Sequence, residues 1–227
     1  MTAPKTRQLI ILGTSAFSQV AYEYFTHDSE FEVVGFSVDR AYLNANELLG
    51  MPVVPFEELQ SHFLPHEHWF YSAVTYTGMN RVRTRLYQEA KDKGFKPASY
   101  VSTRAFVWKN VALGEHCFVM EQNVLQPFVE VGNNVVLWSG NHIGHHSKIN
   151  DHCFISSHVV VSGFCEIGAS CFLGVNATIA NNVALGKDCW IGPGCLISKN
   201  TNAGEIYSID PSGASKVSTY RYFKVQE

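Results

Sequence analysis

The chain has 227 residues, of which 46% are hydrophobic and 16% are charged, and its formal net charge is -3. This length allows two modest domains, and the lack of a basic excess argues against nucleic-acid binding. No apolar run is long enough to span a membrane, and the amino terminus lacks the pattern of a signal peptide. We therefore expect a cytoplasmic protein that binds neither nucleic acid nor membrane.

The first hundred residues alternate strand-like apolar runs with helix-like segments. Strands are predicted over 9–13, 31–39, 52–55 and 69–76, and helices over 17–27 and 79–93. Gly94 follows the second helix at a position where glycine commonly ends one. The alternation predicts a small α/β domain with a parallel sheet over residues 1–100.

Ligands of such domains bind beyond the carboxyl ends of the strands. The loop after the first strand offers backbone N–H groups and hydroxyls at a helix amino terminus, which suits a phosphate. The end of the second strand offers a carboxylate and a guanidinium for a ribose or a base. A dinucleotide cofactor is disfavoured because only one glycine of Gly-x-Gly-x-x-Gly is present. Alternatively, Thr14 and Ser15 only cap the helix. The candidate substrate-binding residues are Gly13, Thr14, Ser15, Phe17, Asp39 and Arg40.

A period of six dominates the second half of the chain. From Val101 to Ile197 every sixth residue is a branched aliphatic, without exception. This period fits neither a helix nor a plain strand. It is typical of a parallel β-helix of hexapeptide repeats, in which three units form one triangular coil of 18 residues and each coil is stabilised by its neighbours. We predict such a β-helix over residues 101–201.

Two further positions of the repeat are constrained. The residue after the aliphatic is often glycine, and we expect it to supply the positive φ of a tight corner.

An even number of cysteines could suggest disulfides or a metal site. The register predicts instead small core residues with free thiols, as in a reducing compartment. The position two before the aliphatic holds all six: Cys117, Cys153, Cys165, Cys171, Cys189 and Cys195.

The repeat is lost after residue 201. An uncovered end of a β-helix exposes strand edges. We therefore predict that residues 202–227 form a C-terminal cap, which contains the apolar residues Tyr207, Ile209, Tyr220, Tyr222 and Phe223.

Two adjacent histidines in the repeat are candidates for chemistry. His145 and His146 fall between inward rows, so we expect them on the outer surface. One coil further along, 18 residues past His145, lies Gly163, which has no side chain to fill the space beside the imidazole. An imidazole base beside a backbone N–H suits acyl transfer, because one removes a proton and the other stabilises an oxyanion. Alternatively, both histidines are solvated surface residues.

These features resemble the bacterial nucleotide-sugar acetyltransferases of the sialic-acid O-acetyltransferase and bacillosamine N-acetyltransferase family. The resemblance covers nearly the whole chain, through segments 9–17, 31–40 and 98–101 and all of the hexads. The matching positions include His145, Ile149, Ile155, Gly163 and the run Phe-Leu-Gly-Val-Asn at 172–176. The resemblance implies a Rossmann-like first domain and a left-handed β-helix, although ordinary crossovers are right-handed.

The resemblance also implies partners and roles. Acetyl-CoA would lie between neighbouring β-helices of a homotrimer, and the first domain would hold a UDP- or dTDP-linked amino-deoxysugar. His145 would be the general base, and the Gly163 N–H would polarise the thioester carbonyl. Some relatives have a glutamate where this chain has His146, and a histidine where it has Phe17. The candidate cofactor-binding residues are Phe154, Gly163, Asn181, Lys187 and Lys199, and the candidate catalytic residues are His145, Gly163 and His146.

The expected function is N-acetylation of the sugar, without a metal, for a surface glycan such as an O-antigen or capsule. Three alternatives remain open at the level of sequence: a sugar O-acetyltransferase, a metal-dependent lyase of the carbonic-anhydrase type, and a non-catalytic trimeric binding module. The lyase would need a metal at His146, His152 and His158. These occupy successive faces about 120° apart, so only a second subunit could complete a ligand set.

Overall fold

The computed structural model describes residues 4–226; residues 1–3 and 227, at the ends of the first and last predicted segments, lie outside the described residues. The first domain has one six-stranded sheet of order β3-β4-β2-β1-β5-β6, in which only the β3–β4 pair is antiparallel. Its elements are β1 (Arg7–Leu12), α1 (Ala16–His27), β2 (Phe31–Val38), β3 (Glu47–Leu48), β4 (Met51–Pro55), α2 (Leu59–His62), β5 (His68–Ser72), α3 (Arg81–Asp92) and β6 (Lys96–Pro97).

The predicted α/β domain with a parallel sheet is confirmed, and most element ends move by one or two residues. The largest difference is at β5, which ends at Ser72 rather than at residue 76, so the following residues form a loop at the edge of the sheet. Gly94 follows α3 with φ +90°, and its N–H donates to the carbonyl of Lys91.

The second half is the predicted parallel β-helix, built from strands of two residues in three sheets. The strands pair in parallel at a spacing of 18 residues, for example His142 with Val160, except that Trp190 pairs with Ile206. The domain-facing sheet contains β7 (Tyr100–Val101), β10 (Phe118–Val119), β13 (Val136–Leu137), β16 (Phe154–Ile155), β19 (Phe172–Leu173), β22 (Trp190–Ile191) and β24 (Ile206–Tyr207). The apolar sheet contains β8 (Phe106–Val107), β11 (Val124–Leu125), β14 (His142–Ile143), β17 (Val160–Val161), β20 (Thr178–Ile179) and β23 (Leu196–Ile197). The charged sheet contains β9 (Ala112–Leu113), β12 (Glu130–Val131), β15 (Lys148–Ile149), β18 (Glu166–Ile167) and β21 (Ala184–Leu185).

The inside of the β-helix is filled as the repeat predicts. The second residue of most strands is buried and stacks on its equivalents in the neighbouring coils. All six cysteines are buried and free, which confirms their assignment to the core. Burial disfavours the thiolate and raises the pKa of Cys117 to about 12, so the Cys117 thiol is a poor nucleophile.

The corners differ from the prediction. None of the glycines that follow the aliphatic residues has a positive φ. The left-handed conformation is instead adopted two residues later, at every sixth position from His116 (φ +58°) to Gly194 (φ +72°). The glycines are needed because the next coil approaches closely: a Cβ on Gly144 would lie 2.6 Å from the carbonyl carbon of Ser162.

The three sheets differ on their outer sides. The first domain covers the domain-facing sheet, where Phe118, Phe154 and Phe172 join the core formed with β1 and α1. The charged sheet presents Glu130, Lys148 and Glu166 to solvent. The outer side of the apolar sheet has no such covering, and it exposes the hydrophobic residues Phe106, Val160 and Leu196, of which Leu196 is 66% exposed.

A buried polar network joins the two parts of the chain. Arg83 of α3 is fully buried, and its guanidinium donates to Asn134 Oδ1 (3.0 Å) and to the carbonyl of His152 (2.9 Å). His116 is also fully buried, and its Nε2 accepts from the N–H of Ser72 at the end of β5. Its Nδ1–H is therefore free to donate to Asn134 Oδ1 (3.0 Å). The network thus ties α3 and β5 to one corner of the β-helix over three successive coils.

The C-terminal segment corrects one expectation. Tyr207 of β24 packs against the inner core, as expected. The next residues leave the repeat and form only a short helix, α4 (Thr219–Phe223), with no strand partner. The predicted cap residues Ile209, Tyr220, Tyr222 and Phe223 are therefore exposed rather than packed on the end of the β-helix. Between residues 4 and 226, no helix has the length and apolar character to cross a membrane.

We predict that buried His116 makes the fold sensitive to acid. Burial, the largest cause, lowers its pKa from 6.5 to about 3, so the unfolded chain binds the proton more tightly than the folded chain. Stability present above pH 6.5 is lost as the pH falls towards 3. The contribution is about 2–3 kcal/mol between pH 7 and pH 4.5.

Urea unfolding at both pH values, at constant protein concentration, measures this loss. His116→Gln is expected to be less stable at pH 7 but to have a shallower pH dependence, whereas the exposed control His66→Gln should behave like the parent protein. An unchanged pH dependence in His116→Gln would contradict the assignment.

Candidate active site

The two adjacent histidines occupy the corner between β14 of the apolar sheet and β15 of the charged sheet, and both are exposed. The N–H of His145 donates to Gln126 Oε1 on the preceding coil (2.9 Å). A Cβ on Gly163 would lie 2.9 Å from Cε1 and 3.0 Å from Nε2 of the His145 ring. The imidazole therefore lies against the place where any other residue would carry a side chain, as the 18-residue spacing predicts.

The same corner continues as a column of residues spaced by 18: His145, Gly163, Asn181 and Lys199. The N–H of Gly163, the proposed oxyanion donor, donates to Asn181 Oδ1 (2.9 Å). The Asn181 side chain is exposed, so a ligand carbonyl can take its place without loss of a buried contact. The column thus combines a base, a backbone donor and a cation along one edge of the β-helix.

His146 belongs to a second column at this corner. Its Nδ1 lies 3.1 Å from Nδ1 of His145. Its ring stacks between Phe128 (centroid distance 4.5 Å) and Phe164 (4.9 Å), one coil to either side. Sequence reasoning placed His146 at the surface but gave no sign of this aromatic stack, which the 18-residue spacing of the three residues could have revealed.

Three of the predicted ligand residues lie elsewhere. Phe17 and Phe154 are each only 3% exposed, and they pack against each other between the first domain and the domain-facing sheet. They stabilise the domain contact and are not available to a sugar or to CoA. Lys187 is exposed at the corner between the charged and the domain-facing sheets, away from His145.

A cavity of about 360 Å³ opens at the carboxyl ends of β1, β2 and β5. Among the predicted substrate residues, Gly13, Thr14, Ser15 and Asp39 line it. Gly13 has φ +119°, and a Cβ there would lie 2.8 Å from Ser18 Oγ, so the turn requires glycine. Ser15 is the N-cap residue of α1 but makes no side-chain capping bond, which does not support the view that it is only a cap.

Of the two candidate residues at the end of β2, only Asp39 lines the cavity. Asp39 forms an ion pair with Arg85 (2.6 Å) at the edge of the cavity. Arg40 is not among the residues that line the cavity, and its guanidinium pairs with Glu58. Its backbone N–H also donates to Glu57.

Sequence reasoning missed other residues of this cavity, including Tyr42, Thr75 and Thr77. Both threonines lie in the loop after β5, and the strand predicted over 69–76 included Thr75 and ended just before Thr77. Had the strand been ended at Ser72, the rule that ligands bind beyond strand ends would have included them.

A larger cavity, of about 480 Å³, lies between the end of α1 and the first coils. Its lining contains three carboxylates, those of Glu23, Asp28 and Glu121, against one guanidinium, that of Arg104, and one imidazole, that of His27. These carboxylates repel phosphate groups, and the Asp28 carboxylate already accepts hydrogen bonds from Tyr100 and Thr103. The smaller cavity at the strand ends is therefore the better candidate for an activated sugar.

The two candidate sites lie on opposite sides of one chain. The cavity belongs to the domain that covers the domain-facing sheet, whereas His145 lies at the corner between the other two sheets. In a triangular coil that corner is opposite the domain-facing sheet. One chain therefore does not bring the two sites together.

The histidines of the possible metal site are also separated. His146, His152 and His158 lie at three different corners of the coil. Across the part of the chain that the structure describes, no group of three or more His, Cys, Asp or Glu side chains could hold a metal ion.

The fold is that of a Rossmann-like domain followed by a left-handed β-helix, as the resemblance implied. Residues 128–163 match the family model described as bacterial transferase hexapeptide (six repeats). A comparison with curated proteins gives no match.

Solved structures share this fold over 88% of the chain. The acetyltransferase domain of PglB from Neisseria gonorrhoeae FA1090 has a TM-score of 0.78 and 23% identity, with 96% of that chain covered. PerB from Caulobacter crescentus, in complex with CoA and GDP-perosamine, has a TM-score of 0.76 and 22% identity, with 92% covered. WeeI from Acinetobacter baumannii AYE has a TM-score of 0.68 and 20% identity, with 96% covered.

We predict that Gly163→Ala displaces the His145 ring while the protein stays folded. The φ of Gly163 suits alanine, but the new Cβ would lie 2.9 Å from the imidazole, which is exposed and can rotate away. A crystal structure of the variant should show a changed His145 rotamer, and the thermal midpoint should move by only a few degrees. Gly213→Ala, where nothing lies within 4 Å, is the matched control. An unmoved ring would contradict the packing described above.

Proposed function

We propose that the protein transfers the acetyl group of acetyl-CoA to the amino group of a nucleotide-linked amino-deoxysugar. The observation that carries this proposal is that the exposed imidazole of His145 lies against Gly163, whose backbone N–H is the candidate oxyanion donor. The shared fold supports it, since the similar PglB domain is described in complex with acetyl coenzyme A and PerB in complex with CoA and GDP-perosamine.

The chemistry requires a base and an oxyanion donor. The neutral sugar amine attacks the thioester carbonyl, a C–N bond forms, and Nε2 of His145 takes the proton that the nitrogen loses. The Gly163 N–H, released from Asn181, stabilises the oxyanion. The C–S bond then breaks, and the imidazolium returns its proton to the leaving thiolate. No covalent enzyme intermediate is needed, and all six cysteines are buried inside the β-helix.

The cavity at the strand ends is proposed to hold the nucleotide. The cavity lining at Thr14 and Ser15 leads into the amino terminus of α1, where free backbone N–H groups and the helix dipole favour a phosphate. The side chain of Asp39 can accept hydrogen bonds from a ribose or a base. The similar PerB is described with a guanosine nucleotide sugar, so GDP-linked sugars join the UDP- and dTDP-linked sugars as candidates.

Acetyl-CoA is proposed to lie along the His145 column. Asn181 and Lys199 follow Gly163 on the same edge of the β-helix, and the Lys199 ammonium can meet a phosphate of CoA. Lys187 lies at another corner and is not part of this groove within its own chain.

A homotrimer is proposed to complete the site. The cavity and His145 lie on opposite sides of one chain, so the sugar can reach the base only from a neighbouring copy. The exposed Phe106, Val160 and Leu196 give the apolar sheet, beside His145, the character of a subunit contact. A monomer at assay concentrations would contradict this arrangement.

An amine is favoured over a hydroxyl as the acceptor. The partner of His145 Nδ1 is a second imidazole rather than a carboxylate, so the base lacks the negative neighbour that would strengthen it towards a weakly acidic hydroxyl. We therefore retain O-acetylation as the second candidate, to be separated from the first by the choice of acceptor.

The proposal is tested with acetyl-CoA and a panel of GDP-, UDP- and dTDP-linked 3-amino and 4-amino sugars, with release of free thiol as the readout. One amino sugar is expected to give turnover. His145→Ala should lower kcat by roughly 10²–10⁴-fold because the general base is lost, whereas His66→Ala, an exposed histidine of the first domain, should leave it unchanged. Turnover only with the hydroxyl sugars of a parallel panel would replace N- by O-acetylation, and equal rates in His145→Ala would remove the assigned base.

A further inference from the structure

His146 is not explained by the reaction described above, although the structure holds it firmly. We infer that His146 is a positioning residue that fixes the tautomer of His145, so that the basic lone pair of the dyad lies on Nε2 of His145. This inference rests on the proposed role of His145 as the general base, and it concerns how that base is prepared.

The contact between the two rings carries the inference. Nδ1 of His145 and Nδ1 of His146 are 3.1 Å apart, which is a hydrogen-bond distance. One nitrogen must donate and the other must accept, because two protonated nitrogens or two lone pairs would repel each other. If His145 donates from Nδ1, its Nε2 carries the lone pair that a general base needs, and the Nε2 of His146 carries the remaining proton.

The surroundings make His146 the fixed partner. Phe128 and Phe164 stack on its two faces with interplanar angles of 25° and 16°, so the ring has little freedom to rotate. Its backbone is held in the left-handed region (φ +58°) by the corner. His145, in contrast, meets the edge of the stack, with its ring at 87° to that of Phe164. Stacking on both faces also leaves only the ring edge of His146 free, which suits a hydrogen-bond partner more than a base.

The other charged groups near this corner do not take over the role. On the strands that meet at the corner, the titratable side chains are His142 and Lys148, and Glu130 and Glu166 flank Lys148 on the adjacent coils. Lys148 pairs with Glu130 at 4.0 Å. The remaining contacts of the dyad are uncharged, and the hydrogen-bond partner of His145 Nδ1 is His146.

The proton balance follows from this arrangement. When Nε2 of His145 takes the proton of the attacking amine, the dyad gains one positive charge and the Nδ1–H···Nδ1 bond becomes charge-assisted. The same proton leaves when the CoA thiolate departs, so His146 ends the cycle as it began.

The chain itself supplies well-matched substitutions. Phe128 and Phe164 occupy the same corner as His146 on the neighbouring coils with the same sign of φ, and Gln122 (φ +58°) occupies the equivalent hexad position at another corner. His146→Phe therefore keeps the aromatic stack but removes the acceptor, while His146→Gln offers a side-chain oxygen in place of the nitrogen. His146→Glu adds a negative charge, which stabilises the protonated base.

Kinetics on the acetyl acceptor found above give the first readout. We expect His146→Phe to lower kcat by roughly 10–100-fold, the size typical of orienting partners, with the KM for acetyl-CoA within about twofold of the parent. His146→Gln should recover most of the loss. His146→Glu should move the acid limb of the pH–rate profile to higher pH, because an anion beside the imidazole favours the protonated state.

A second readout does not depend on turnover. In protein labelled with 15N-histidine, the ring-nitrogen shifts should report the Nδ1–H tautomer of His145 in the parent protein and in His146→Gln, and a mixture of tautomers in His146→Phe. Parent-like kcat and tautomer in His146→Phe would overturn the inference. A loss in His146→Phe as large as that in His145→Ala would instead make His146 the base. If the parent turns over no sugar, the proposed reaction fails, while the tautomer still decides whether the dyad exists.

Discussion

The 18-residue coil is the constraint on which the rest of the structure depends. Each coil must place its aliphatic side chains on those of the next coil, and left-handed corners at every sixth residue keep the three strands in register. The same register aligns the outer positions into columns. His145 lies below Gly163 and His146 lies between Phe128 and Phe164 because these residues occupy equal positions on successive coils. The register that packs the core therefore also determines which exposed side chains lie next to each other.

The placement of the first domain has the next consequence. Arg83 and His116 are fully buried and hydrogen-bonded across the junction, and the aromatic residues around Phe17 and Phe154 cover the domain-facing sheet. Breaking a buried polar network leaves unpaired groups in a nonpolar environment, which is costly. The domain is therefore held to one side of the triangle and the cavity stays opposite the histidines, which is why the proposed function calls for a second copy.

Much of this architecture is readable from the sequence, because a strict period of six repeats the same physical requirement many times. The inward rows, the free cysteines and the exposed position of His145 follow from counting alone. The repeat alone led to the wrong residue for the positive φ of the corners, because glycine is enriched both where φ is positive and where backbones approach closely. It also could not show that Phe17 and Phe154 meet between the domains, that Asn181 occupies the Gly163 donor, or that Arg40 turns to Glu58, since these contacts join segments far apart in the chain.

The central claim is that the cavity of one copy serves the base of the next, and subunit complementation tests it most directly. His145→Ala removes the base, and Thr77→Trp fills the cavity at its exposed edge. Each variant alone should be inactive. Trimers purified through two different tags, one on each variant, contain one site in which both halves are intact, so about a third of the parent activity should return. Mixed trimers as inactive as either variant would contradict the account and place both halves of the site within a single chain.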